Sequence, residues 1–182
     1  MRAFVAVFPP AEVRRALVES ARELEVVGEV RWMRPERAHF TLKFLGEVAE
    51  EDLDRVAKAL EMVCPRHEPF EARPSRFGAF PSARRARIVW AGIGEGSEPL
   101  RALAEDVETS LERLGYERES RAYVPHLTLG RARGRPVSLE VVETPPSIPG
   151  FVVRSVELVQ SVLGGEPTYS TLATYPLSER RD

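Results

Sequence analysis

The pattern His-x-Thr-Leu occurs twice in this chain, as His39-Phe40-Thr41-Leu42 and His126-Leu127-Thr128-Leu129, 87 residues apart. Both copies lie in β-type sequence and both run on to a glycine, Gly46 and Gly130. Alternate residues of a strand share a face. Each copy therefore presents an imidazole and a hydroxyl side by side, and the fold must house two such strands in equivalent settings.

The flanking pattern repeats at the same spacing. Arg2–Phe8 reads as a strand, and its shifted image falls near Val89, inside a second strand over Ala86–Ile93. A helix over Ala11–Leu24, opened by Pro9-Pro10, maps onto one over Glu98–Leu114, which Ser97 is expected to cap. The helix Glu50–Val63 maps near Val137, where Ser138–Glu143 is ambiguous between a short helix and an extended piece. A strand over Phe70–Phe77 maps into Phe151–Leu163. Val30–Met33 and Tyr169–Pro176 read as further strands, and the chain frays from Ser178. This order predicts an α+β fold of two similar lobes, approximate halves 1–81 and 82–182, related by a pseudo-twofold axis, with helices outside and the motif strands meeting at a central cleft.

The chain has 182 residues, 43% apolar and 30% charged, enough for a packed core. No apolar run is long enough to span a bilayer, and the opening apolar stretch is too short for a secretory signal. Cys64 is the single cysteine, which excludes an intramolecular disulfide and fits a reducing cytoplasm. A cytoplasmic monomer is expected. The formal net charge of −2 argues against non-specific coating of nucleic acid but permits a local basic patch. Asparagine is absent, Gln160 is the only glutamine, and Arg and Pro are plentiful. Thermophile proteins share this bias, and so do proteins from GC-rich genomes.

Histidine titrates near neutral pH, so one imidazole can hold a proton while its partner accepts one. Two threonine hydroxyls can donate to the oxygens of a phosphate held between them. Such a constellation suits attack of water on a phosphodiester. No cofactor is implied, and no His-Glu-x-x-His, cysteine pair or Asp-rich loop suggests a metal.

Alternation supplies the neighbours. Counted from His39, Lys43 shares the His39/Thr41 face, where it either adds positive charge to the cleft or is a solvated strand residue, while Leu42 and Phe44 turn to the core. Arg131 has the wrong parity against His126 and reaches the cleft only if the strand bends or bulges at Gly130. His67 lies in a Pro-flanked loop and reads as an exposed bystander. Arg84, Arg85 and Arg87 form one basic turn, and Arg131, Arg133 and Arg135 another; either can grip a nucleic-acid backbone or simply face solvent. Trp32, Phe80 and Tyr123 can stack on a base or pack internally.

His39-Phe40-Thr41-Leu42-Lys43-Phe44-Leu45-Gly46 and His126-Leu127-Thr128-Leu129-Gly130-Arg131 resemble the two-histidine (2H) phosphoesterase superfamily, and within it the RNA 2′,3′-cyclic phosphodiesterase family, also called 2′-5′ RNA ligases. The opening Arg2–Pro10, Phe77-Gly78-Ala79-Phe80-Pro81, Arg87–Gly92 and Tyr123-Val124-Pro125 resemble it too, so the likeness covers nearly the whole chain. The resemblance implies a bilobal α+β fold with antiparallel sheets facing a central cleft. It implies hydrolysis of RNA 2′,3′-cyclic phosphate ends, tRNA-like fragments among them, to 2′-phosphates, with 2′-5′ ligation as the reverse reaction. It makes His39 the proton donor to the leaving 3′-oxygen and His126 the acceptor that activates water. Thr41, Thr128 and Arg131 would bind the phosphate. Two other readings stand beside this one: the same site acting on a small cyclic nucleotide, such as an ADP-ribose cyclic phosphate, and a non-catalytic RNA-end binder.

Overall fold

The apolar run Arg2–Val7 forms strand β1, whose residues after Arg2 are buried on both faces. Ala3, Val5 and Val7 belong to the main core, whereas Phe4 and Ala6 face the other way onto Val159. A strand covered on both sides sits inside a sheet, and the computed structural model, which describes residues 1–179, shows which one. Among the described residues, β1 (Arg2–Val7), β2 (Val30–Trp32), β3 (Phe40–Glu47), β4 (Pro74–Phe80), β5 (Ile88–Ile93), β6 (His126–Ala132), β7 (Val142–Glu143), β8 (Ser155–Val162) and β9 (Thr168–Pro176) form one nine-stranded sheet. Its order is β7-β4-β5-β6-β3-β1-β8-β9, with β2 on β6, and every pairing is antiparallel.

This order reads alike from both ends. The motif strands β3 and β6 lie side by side at the centre and pair through Phe40 and Leu127. Outward from them come β1 and β5, the strands related by the repeat, and then β8 and β4. The halves of the sheet do not follow the halves of the chain. β4, from residues before 82, joins β5 and β6, while β8 and β9, from the far end, join β1. The chain crosses over twice, which a linear repeat does not reveal.

Helices α1 (Ala11–Arg22), α2 (Glu50–Val63) and α3 (Ser97–Glu112) bury one apolar stripe each. Leu17, Leu60 and Leu103 are fully enclosed and share the main core with Val5, Leu42, Leu127 and Leu129. Each such leucine stabilises the fold by roughly 1.5–3 kcal/mol relative to exposure. With the helices gathered here, the opposite sheet face is left for a cleft. No described helix is long and apolar enough to cross a membrane.

Some elements differ from expectation. Ser97 does not cap α3 from outside; Gly96 precedes the helix in the left-handed region at φ 84°. A Cβ there would stand 2.3 Å from the Glu71 carbonyl oxygen, so the chain needs glycine at this point. Phe70–Phe77 is split: Phe70–Ala72 pairs with Phe151–Val153, and β4 begins at Pro74. Ser138–Glu143 is extended, with Ser138–Leu139 pairing to Val26–Val27 and Val142–Glu143 forming β7, so α2 has no counterpart among the described residues of the second half. The tail read from Ser178 runs into residues 180–182, outside the described residues.

Candidate active site

Extending the Phe40–Leu127 register by one residue each way sets His39 across from Thr128 and Thr41 across from His126. Phe40 and Leu127 are fully buried on the helix side, so the four polar side chains stand together on the other face. They line one cleft of about 280 Å³, bordered by Phe4, Phe44, Arg37, Arg131 and Tyr169. Antiparallel pairing makes the arrangement diagonal: each imidazole is beside the other strand's hydroxyl.

Both rings are tethered alike. His39 Nδ1 lies 2.7 Å from the Arg37 carbonyl oxygen, and His126 Nδ1 lies 2.7 Å from that of Val124. A carbonyl only accepts, so Nδ1 carries the hydrogen in each ring and Nε2 is the nitrogen free for proton transfer. In neutral His39, the Thr41 hydroxyl, 3.1 Å away, donates to Nε2.

Their surroundings are unequal. His39 stacks on Phe4 at 4.8 Å between centroids, leans on Phe8 at 5.1 Å and meets the Tyr169 edge at 5.4 Å. His126 meets one aromatic ring, Phe80, edge-on at 5.0 Å. Burial pulls the His39 pKa from its usual value down to about 4. The bond to the Arg37 carbonyl opposes that shift, while the charges of His126, Arg14 and Arg37 deepen it. In the free protein His39 is therefore neutral at pH 7.

Two β-bulges decide which neighbours join the site. Between β1 and β3, Val5 pairs with Lys43 and Ala6 with Thr41, leaving Leu42 as the extra residue. Between β5 and β6, Val89 pairs with Gly130 and Trp90 with Thr128, leaving Leu129 extra. A bulge reverses the alternation beyond it. Lys43, expected in the cleft, is consequently turned to the helix side and buried. Its ammonium bonds the Glu108 carboxylate of α3 and the Glu117 carbonyl, and it does not meet the cleft. Phe44, expected in the core, is 72% exposed and lines the cleft. In β6 the same device turns Arg131 into the cleft, which plain alternation denied it.

The remaining candidates lie outside the cleft or at its margin. His67 is mostly covered and bonds Asp106 of α3 at 2.8 Å, so it is a structural tie rather than an exposed bystander. The two basic turns are neighbours: Arg87 Nη1 donates to the Gly134 carbonyl at 2.8 Å, and Ala86 bridges Val137. Trp32 packs against the core, Tyr123 has its hydroxyl buried, and Phe80 supports His126. Sequence reasoning missed the aromatic box around His39, and it missed Arg37, whose guanidinium lies over Tyr169 at 5.5 Å. Arg37 stands two residues before His39, the place that supplies the tethering carbonyl, and that spacing is a usable signal.

The antiparallel fold, with paired motifs on its open face, is that of a two-histidine phosphoesterase. Residues 7–90 match the family model described as LigT like Phosphoesterase. The RNA 2′,3′-cyclic phosphodiesterase of Archaeoglobus fulgidus is 36% identical over 179 residues, spanning 96% of this chain and 99% of that protein. A crystal structure from Thermus thermophilus superposes with a TM-score of 0.85 at 30% identity, over 99% of this chain and 100% of that one. The structure of E. coli LigT complexed with 3′-AMP gives a TM-score of 0.81 at 25% identity, over 98% of each chain. This chain belongs to the LigT-like phosphoesterase family.

Proposed function

We propose that this chain hydrolyses terminal 2′,3′-cyclic phosphates of RNA to 2′-phosphomonoesters, by acid–base chemistry of His39 and His126 alone. The observation that carries this reading is the matched tether of the two rings, which leaves both Nε2 atoms for proton transfer at one cleft. The naming of the A. fulgidus relative points the same way.

Water attacks phosphorus and gives its proton to His126 Nε2. The bond from phosphorus to the 3′-oxygen breaks, and that oxygen takes a proton from His39 Nε2. His39 must therefore be protonated beforehand, although it is neutral in the free protein. A bound phosphodiester supplies a negative charge that offsets the positive charges around the ring and draws a proton onto Nε2. Protonation also ends the donation from Thr41, because Nε2–H no longer accepts: the hydroxyl hydrogen turns toward the phosphate, and Nε2–H is left for the 3′-oxygen. Thr128 donates from the other side, and Arg131 offers its planar fork to the non-bridging oxygens. With a 5′-hydroxyl in place of water, the same step makes a 2′-5′ bond.

RNA suits the site better than a small cyclic nucleotide, because positive charge continues beyond the cleft. Arg131 leads to the joined turns carrying Arg84, Arg85, Arg87 and Arg135, all exposed. Turnover of an oligonucleotide should fall steeply with salt and that of a mononucleotide only gently. On its single buried cysteine, we infer a reducing cytoplasm as its compartment. The direct test supplies an oligonucleotide ending in a 2′,3′-cyclic phosphate. The product expected is the 2′-phosphate with a free 3′-hydroxyl; a 3′-phosphate, or no reaction, refutes the reading.

A further inference from the structure

Beside the catalytic cleft, three arginines converge on one carboxylate. Glu166 Oε1 lies 2.9 Å from Arg31 Nη2, and Glu166 Oε2 lies 3.3 Å from both Arg34 Nε and Arg37 Nη1. Three positive charges thus face one negative charge. The imbalance is sharper than the contacts alone show, because Arg31 is the cross-strand partner of Arg131. Like charges placed directly opposite across strands repel. A cluster of this kind is electrostatically unfinished and favours further anionic charge.

The cluster is connected to the chemistry. Arg37 lines the cleft, its carbonyl tethers His39, and its guanidinium lies over Tyr169, which in turn meets the His39 ring. Its Nε is buried without a hydrogen-bond partner. The carboxylate, by contrast, is borne on a slender support. Glu166 sits at the tip of the β8–β9 hairpin, after Gly164 and Gly165, with Leu163 61% exposed. Nothing lies within 4 Å of the position a Cβ would take at Gly165. The tip can move away without disrupting the core.

A carboxylate and a phosphodiester present the same pair of oxygens to a guanidinium fork. We propose that Arg31, Arg34 and Arg37 form a second phosphate subsite, for the phosphodiester on the 5′ side of the terminal nucleotide, and that Glu166 fills it when RNA is absent. The proposal rests on the hydrolase reading above, since it takes the cyclic phosphate to lie between the histidines. It assigns the cluster a ligand that a mononucleotide does not carry. RNA then enters by exchange: its penultimate phosphate replaces the Glu166 carboxylate, and the hairpin tip swings aside.

The test compares binding of a diribonucleotide bearing a 2′-phosphate with binding of the ribonucleoside 2′-phosphate, by calorimetry at one fixed salt concentration. The readout is the ratio of the two affinities. Arg31, Arg34 and Glu166 are all largely exposed, so their substitution leaves the core intact. Glu166→Gln removes the competing charge and should raise the preference for the dinucleotide about fivefold. Arg31→Ala and Arg34→Ala should each lower it by about the same factor. An unchanged ratio in Glu166→Gln overturns the proposal whatever the arginine variants do, and leaves the cluster as a clasp for the hairpin. Hydrolysis of the cyclic-ended dinucleotide, measured alongside, separates the two claims. Preference shifts without turnover sink the hydrolase and support the subsite; turnover without preference shifts does the reverse.

Discussion

The two motif strands share a bulge but put it to different uses. In β3 the extra residue is Leu42, and in β6 it is Leu129, the same place in each motif. Beyond the bulge, the residue turned inward is Lys43 in one strand and Gly130 in the other. The residue turned to the cleft is Phe44 in one and Arg131 in the other. The first strand thus commits its cation to a buried ion pair and offers the cleft an aromatic ring. The second keeps its inward position empty so that β2 can lie close, and offers the cleft a guanidinium. A Cβ on Gly130 would stand 2.6 Å from Val30 Cγ1 and 2.8 Å from Trp32 Cε3. A duplicated backbone has in this way produced one enclosed half and one charged half. His39 stands among three aromatic rings, and His126 has one aromatic neighbour and a row of arginines beyond it.

That contrast can be broken most forcibly at Lys43. Lys43→Met leaves the Glu108 carboxylate buried and without its cation, at a cost of about 3–5 kcal/mol in stability. Adding Glu108→Leu should recover most of that loss, as urea unfolding of the single and double variants will show. If the double variant is no better than the single, the pair does not account for the stability of that half. Lys43 also donates to the Glu117 carbonyl, so the single variant should loosen the loop that leads to His126 as well.

The enclosure of His39 has a pH signature. Its folded pKa, about 4, lies below the 6.5 of the unfolded chain. Below pH 6.5 the unfolded state takes up a proton that the native state refuses, so stability falls with falling pH until about pH 4. The loss from this group approaches about 3 kcal/mol. His39→Phe, set among the same rings, should lack that share of the slope in thermal unfolding followed from pH 7 to 4. An unchanged slope means that His39 is not held neutral by its box.

The smallest effect belongs to the second strand. Gly130→Ala should cost about 1–3 kcal/mol, because β2 must shift to admit a methyl group. It should also weaken phosphate binding, since Arg31 on β2 is the partner of Arg131. A variant of unchanged stability would show that the close approach of β2 is not required.

Much of this was legible in the chain. The apolar stripe Leu53, Val56, Leu60 and Val63 marks α2 from its first residue to its last, since helix periodicity is a local property. The paired motifs place both histidines and both threonines on one face, and the repeat brings their strands together. Alternation failed just past each motif, at Lys43 and Phe44 in β3 and at Arg131 in β6. A bulge arises from the pairing of two strands, and neither strand's sequence announces it. The exchange of β4 and β8 between the halves was hidden for a similar reason: the 87-residue repeat records which elements occur, not which neighbours they choose. Glu166 and its three arginines were invisible because 129 residues separate Arg37 from Glu166.

The central claim is that two imidazoles serve one phosphorus, one giving a proton while the other takes one. The pH dependence of kcat/KM for a 2′,3′-cyclic-ended oligonucleotide measures this most directly, in the wild-type chain and in His39→Ala and His126→Ala. The wild type should give a bell, and each variant a rate lower by about 10²–10⁴ with one limb of the bell missing. A profile that keeps both limbs in either variant, or that is flat through the histidine range in the wild type, would contradict the claim.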